Sequence, residues 1–167
     1  TMAPSFRAEK SRTRRHLTEF WHAEMEIAWA SNEEVMEHGE GVVRHVASTL
    51  LEERSEELEE LGRDLSVVAR FAESEYPRMR YDEAIEILQS KGVEVEWGQD
   101  LDYSKEKILT SEFEVPHFLT HYPRVAKPFY HRPDPEDPKY VLCHDLLAPE
   151  GYGEIIGGGE RLSLIHI

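Results

Sequence analysis

Between Ser5 and Phe20 the chain writes an extended segment, a short basic loop and a second extended segment, which commits this stretch to a β-hairpin. Phe6, Arg7, Ala8 and Glu9 place an arginine and a carboxylate two residues apart on the first segment, hence on one face. Five of the chain's 19 Lys and Arg residues fall between Arg7 and Arg15, whereas the whole carries a formal charge of −15. An acidic chain that concentrates positive charge in one short loop is suited to hold an anion there, and a triphosphate is the natural candidate. The expected strands are Ser5 to Glu9 and about His16 to Trp29. In the second, Phe20, His22, Glu24 and Glu26 alternate with Trp21, Ala23, Met25 and Ile27. Two carboxylates on the Phe20 face suit a polar pocket better than a core.

Downstream, Ser31 and Glu34 form a capping-box signature, and Val35, Val42, Val43, Val46 and Leu50 recur at helical spacing. The expectation is one long helix from about Asn32 to Leu61, weakened by Gly39 and Gly41. Between Asn32 and Glu60 ten Glu face Arg44 and Arg54, a solvated acidic face. A second helix is expected over Asp82 to Lys91, stopped by Gly92. Short strands are expected at Val93 to Trp97, Phe118 to Thr120, Pro128 to His131 and Tyr140 to Asp145. The fold class is α+β: a mainly antiparallel sheet flanked by helices. At 167 residues the chain can bury one real core. No apolar run reaches the ~20 residues of a membrane span, and the single Cys143 forbids an intrachain disulfide, which fits a reducing cytoplasm.

Two constellations carry chemistry. Arg7 can bridge two anionic groups bidentately; read alone, it serves equally well as a surface ion pair to Glu9 or Glu19. Phe20 can stack on a flat ring or sit in a core. Centring a hairpin on Ala148 to Gly151 sets Asp145 opposite Glu154. Like charges facing across strands destabilise a sheet unless a cation sits between them, and oxygen-only ligation suits Mg²⁺. The bland alternative is two solvated carboxylates at a turn. His117 and His121 lie on strand and turn rather than one helix face, so a zinc pair is not expected. Cys143 reads as a small core residue.

The order and spacing of these blocks resemble the archaeal-type asparaginyl-tRNA synthetases, in the aspartyl/asparaginyl branch of class II. The resemblance rests on Phe6 to Glu9, Arg15 to Phe20, Trp21-His22, Glu24-Met25-Glu26, Tyr81 to Ile85, Leu88 to Gly92, Glu96-Trp97-Gly98, Lys127 to Tyr130 and Ala148 to Arg161. It implies a class II catalytic sheet over residues 1–161, with an off-pattern tail at 162–167. It implies ATP-dependent activation of asparagine to asparaginyl-adenylate, then transfer to tRNA(Asn). Arg7 would contact the α-phosphate and Glu9 the α-amino group or adenine. Arg15 and His16 would lie at the outer phosphates or the tRNA acceptor end, and Phe20 on adenine. Asp145 and Glu154 would carry Mg²⁺, while Glu24 and Arg161 would read the asparagine amide; His22 and Lys127 fall in the pocket region with no role assigned. The family's dimer-forming motif 1, its motif 3 arginine and its anticodon domain have no counterpart here, so homodimerisation and tRNA binding are expected of the full-length protein. The 167-residue chain alone is expected to show little activity. Three other readings keep the fold: a synthetase-like asparagine synthetase using aspartate and ammonia, an aspartyl-tRNA synthetase, and a non-catalytic nucleotide-binding paralogue.

Overall fold

In the computed structural model, residues 1–8 and 16–163 are described. The first strands, β1 (Met2–Phe6) and β2 (Glu19–Ala23), form an antiparallel two-stranded sheet with Ser5 opposite Phe20 and Ala3 opposite His22. β1 has the expected five residues but begins at Met2 instead of Ser5, and β2 is shorter than its sequence suggested. Thr1 and Glu24 extend the ladder through two backbone hydrogen bonds, of 2.7 and 2.9 Å. Ala3, Ser5, Phe20 and His22 share a half-buried face, while Met2, Phe6 and Trp21 stand exposed on the other. Glu9 and Arg15 lie outside the described residues.

The long helix begins as expected. Ser31 Oγ accepts from Glu34 N–H (3.3 Å) and Glu34 Oε2 accepts from Ser31 N–H (2.8 Å), which satisfies donors the helix start leaves open. The helix α1 (Asn32–Glu53) nevertheless ends before Leu61, and α2 (Ser55–Glu60) follows a break at Arg54, where φ is −139°. The two glycines do not interrupt it. Gly39 lies against Ile156, where an added Cβ would sit 3.6 Å from Cδ1, so α1 packs closely on the sheet there. Next come α3 (Leu65–Glu73), capped by Asp64, then β3 (Arg78–Arg80), α4 (Tyr81–Ser90) and α5 (Tyr103–Thr110), capped by Asp102. Of these only α4 was anticipated, with its stop at Gly92 (φ +75°).

The strands β4 (His117–Thr120), β5 (Cys143–Ala148) and β6 (Gly153–Gly159) join β3 in a four-stranded sheet of order β3-β4-β5-β6. Only the β3–β4 pair is parallel, so the sheet is mainly antiparallel as expected. Side chains alternate between its faces. Phe118, Leu146 and Ile156 pack with Met36 of α1 and with Tyr76. Leu119, Cys143 and Leu147 pack with Ala84, Ile85 and Leu88 of α4 and Leu109 of α5. Val93 to Trp97 and Pro128 to His131 form no strands; the latter contributes a single bridge, His131 to Arg161. No helix of the described residues is long and apolar enough to cross a membrane.

His117 is fully buried at the start of β4, stacked 3.8 Å from Phe113, and neither ring nitrogen meets a hydrogen-bond partner. Burial pulls its pKa down from 6.5 to about 4, against the opposing pull of the Val115 backbone. Between those pH values the unfolded chain binds a proton that the folded chain refuses. Stability is therefore full above pH 6.5 and declines as pH falls towards 4, by up to about 3 kcal/mol from this residue. His117→Phe is expected to flatten that part of the urea-midpoint profile against pH. An unchanged slope would exclude His117 as its source.

Candidate active site

The β5–β6 hairpin turns one residue later than its sequence suggested. Ala148 pairs with Gly153, and Glu150 and Gly151 form the centre of the turn with φ of +60° and +79°. Two successive positive φ values match the twist of a tight hairpin. A bulge between Leu146 and Leu147 shifts the register again, so Asp145 faces Gly157 and Glu154 faces Leu147. The expected direct opposition of Asp145 and Glu154 is thus incorrect.

The two carboxylates meet by another route. Gly157 has no side chain, and a Cβ there would lie 2.6 Å from Glu154 Oε1 and 3.4 Å from Asp145 Oδ1. Both acids lean into the space above one glycine, where their repulsion needs a counter-charge. Lys127 supplies part of it. Its Nζ lies 2.9 Å from Asp145 Oδ2, 3.2 Å from Asp100 Oδ1 and 3.9 Å from the centre of the Tyr122 ring. Burial alone would lower the lysine pKa, but the Asp145 and Asp100 charges outweigh it and hold the ammonium above its ordinary value. The backbone N–H of Glu154 is fixed by the buried Glu106 carboxylate at 3.0 Å.

The next two glycines are needed for packing. A Cβ on Gly158 would lie 2.7 Å from His144 Nε2, and one on Gly159 would lie 2.5 Å from His131 Nδ1 and 2.9 Å from Cys143 Cα. His144 is buried, with Nδ1 2.8 Å from Asn32 Oδ1, and burial lowers its pKa to about 4. This geometry assigns the proton to Nδ1, donating to the amide oxygen. Cys143 is a core residue as expected, its thiol pushed up to about 12 by burial. No group of three metal-ligating side chains occurs among the described residues, and His121, at φ +56°, turns to Thr120 Oγ1 and Asp134 instead of joining His117.

Beyond Gly159, Glu160 accepts from Arg132 and lies 3.4 Å from the backbone N–H of Asn32 at the start of α1. Arg161 follows, its guanidinium 4.7 Å from the Tyr130 ring and its Nε 3.9 Å from Glu26 Oε1. His131 lies within the electrostatic reach of Lys127, Arg161 and Asp145; burial lowers its pKa, the two cations lower it further, and Asp145 opposes them.

On the hairpin, the Arg7 guanidinium lies 5.5 Å from the centre of the Phe20 ring, and Phe20 lies 5.8 Å from the His22 ring. His22 Nδ1 is 3.6 Å from Glu24 Oε1. His16 is half-buried. Arg7, Phe20, His22 and Glu24 therefore form one group, and Asp145, Glu154, Lys127 and Asp100 a second. The Glu26–Arg161 contact links the hairpin chain to the second sheet. Glu24 and Arg161, expected to act together, take different partners here. Asp100 and His131 lie outside every block that the sequence singles out, and are marked only by their contacts with Lys127 and Arg161.

The sequence profile of the class II tRNA synthetases (D, K and N) matches residues 1–166. The asparagine–tRNA ligase of Thermococcus gammatolerans is 54% identical over 161 residues, 96% of this chain and 37% of the relative. That of Thermoplasma acidophilum is 49% identical over 162 residues, 97% of this chain and 38% of the relative. In structure, the chain is similar to the Pyrococcus horikoshii asparaginyl-tRNA synthetase complexed with asparaginyl-adenylate, with a TM-score of 0.91 and 53% identity over 96% of this chain and 37% of that one. An aspartyl-tRNA synthetase of Entamoeba histolytica gives a TM-score of 0.73 at 29% identity, covering 96% of this chain and 34% of that one. The chain spans little more than a third of the length of these relatives.

Proposed function

Because the chain belongs to the class II tRNA synthetases of the D, K and N group, we propose that it carries the central part of an asparagine–tRNA ligase catalytic domain over residues 1–161. The reaction is ATP-dependent activation of asparagine to asparaginyl-adenylate, followed by transfer to tRNA(Asn). The observation that carries this reading is the 0.91 match to a synthetase solved with asparaginyl-adenylate. Identity of 53% to that protein against 29% to the aspartyl enzyme favours asparagine over aspartate. In the assembled protein, a cytoplasmic homodimer, the remaining domains supply the anticodon contacts.

The chemistry follows from positioning and charge, with no protein nucleophile. Arg7 is the catalytic residue: its planar fork draws the asparagine carboxylate and the α-phosphate together and stabilises charge on the phosphoryl oxygens. Phe20 gives adenine the flat face on which the Arg7 guanidinium now rests. Glu24 accepts the asparagine amide N–H, which an aspartate side chain cannot offer. Arg161 donates to the amide oxygen after exchanging its contact with Glu26. His16 and Arg15 bind the outer phosphates or the acceptor end of tRNA, and Glu9 the α-amino group or the adenine.

Asp145 and Glu154 fit a magnesium ion in one specific respect: Oδ1 and Oε1 converge over a glycine whose missing side chain leaves the space between them open. Bound there with ATP, the ion would neutralise phosphate charge and tie the nucleotide to β5 and β6. The test is a graft of residues 1–161 into the Pyrococcus horikoshii enzyme in place of its own segment. Asparagine-dependent ATP–pyrophosphate exchange is the expected result, with aspartate inactive. A soluble graft that activates aspartate, or neither amino acid, would overturn the assignment.

A further inference from the structure

Lys127 stands at the centre of the second group, although neither its sequence context nor the proposed reaction gives it a task. Its side chain is only 14% exposed, on the loop that follows the turn at Pro123 to Ala126. An ammonium has three donors, and this one meets three acceptors: Asp145 Oδ2, Asp100 Oδ1 and the face of Tyr122. It therefore has no donor left for a phosphate, which sets it apart from a substrate-binding lysine. Its effect falls on Asp145. The Tyr122 hydroxyl also bonds to this carboxylate; Lys127 takes Oδ2, and Oδ1 is turned to the space over Gly157 where Glu154 Oε1 also points.

We propose that Lys127 is a positioning residue that divides the Asp145 carboxylate, holding Oδ2 so that Oδ1 alone is offered to a divalent cation shared with Glu154. The inference rests on reading Asp145 and Glu154 as a metal-binding couple. Two consequences follow. Asp145 is fixed in orientation from the side away from the cation, as an ordered ligand requires. The site also carries less negative charge than two free carboxylates, which keeps it from trapping a bare metal ion before the nucleotide arrives. Asp100, 60% exposed, holds the far side of the ammonium and ties its own loop to β5 through it. A buried ion pair is in general a weak stabiliser, so a purely architectural role would be served as well by an apolar side chain.

The experiment titrates the purified 167-residue chain with Mn²⁺ alone, reading free ion by electron paramagnetic resonance, with circular dichroism to confirm folding. Binding is expected to be weak in the wild type and lost in Asp145→Asn and Glu154→Gln. Lys127→Met is expected to bind Mn²⁺ about tenfold more tightly, because it releases Oδ2 and removes a positive charge close to the ion. The gain should vanish when Asp145→Asn is added. If Lys127→Met does not fold, Lys127→Gln, which leaves a neutral donor in the same packing, carries the same expected gain in direction. Unchanged or weaker binding in a folded Lys127 variant, with the Asp145 and Glu154 variants inactive in binding, overturns the role of Lys127 and leaves the metal couple standing. Binding that ignores Asp145 and Glu154 overturns both.

Discussion

Arg7→Ala, introduced into the grafted synthetase, is expected to lower asparagine-dependent ATP–pyrophosphate exchange by about 10²- to 10³-fold, the loss typical of removing one preorganised donor to a developing oxyanion. Arg7 is exposed, its backbone N–H is held 2.9 Å from Thr18 O, and its guanidinium rests on Phe20. An exposed cation–π contact contributes only about 0.5–1 kcal/mol. Leaving the ring itself therefore costs little, and the backbone bond keeps the root of the side chain in place. The loss should fall on kcat and on kcat/KM together, because the interaction strengthens as charge moves onto the phosphoryl group. Arg7→Lys should recover little, since a point charge does not reproduce the planar fork. Activity within tenfold of the parent would remove Arg7 from the reaction.

Gly159→Ala is expected to destabilise the fold by at least about 3 kcal/mol, at the upper end of what overpacking a core produces. The added methyl would meet Cys143 Cα at 2.9 Å, and backbone cannot rotate aside as a side-chain tip can. The strand cannot retreat either. Glu160 N–H is bonded to Leu142 O at 2.8 Å, and Arg132 N–H to Glu160 O at 2.9 Å. On the remaining side the His131 ring nitrogen would stand 2.5 Å from the new carbon. Gly41→Ala is the matched control, because an alanine there meets nothing within 4 Å on an exposed turn of α1. Urea midpoints measured side by side decide the matter. Equal midpoints for Gly159→Ala and the parent would show that β6 is free to shift.

The elements visible in the sequence were those whose cause is local. Ser31 and Glu34 set the start of α1 because the capping box acts within one turn. Gly92 stops α4 because it supplies a positive φ that few other residues accept. The elements α3, α5 and β3 were not visible. The first two begin at single aspartate caps and are only 9 and 8 residues long, and β3 is three residues with one inward side chain, Met79. Such short pieces are held by what they pack against. The β5–β6 register failed for a related reason: Glu150 takes a left-handed conformation that its residue type does not announce, and that moves the turn by one position. Within the candidate site, the family blocks single out Arg7, Phe20, Asp145, Glu154 and Arg161 as the residues proposed to act. The Lys127 bridge joins residues 100, 127 and 145, which only the folded chain brings within one ammonium's reach.

The Glu160 carboxylate joins the first peptide of α1 to Arg132, while Arg161 is its immediate neighbour in the chain. A helix of 22 residues is a rod about 33 Å long. Pushing its distal end, near Arg54, displaces a stiff body rather than a pliable one, and the near end is hooked to the residue beside Arg161. A load on the far end of that rod is therefore carried to the peptide of Asn32 and, through Glu160, to Arg132.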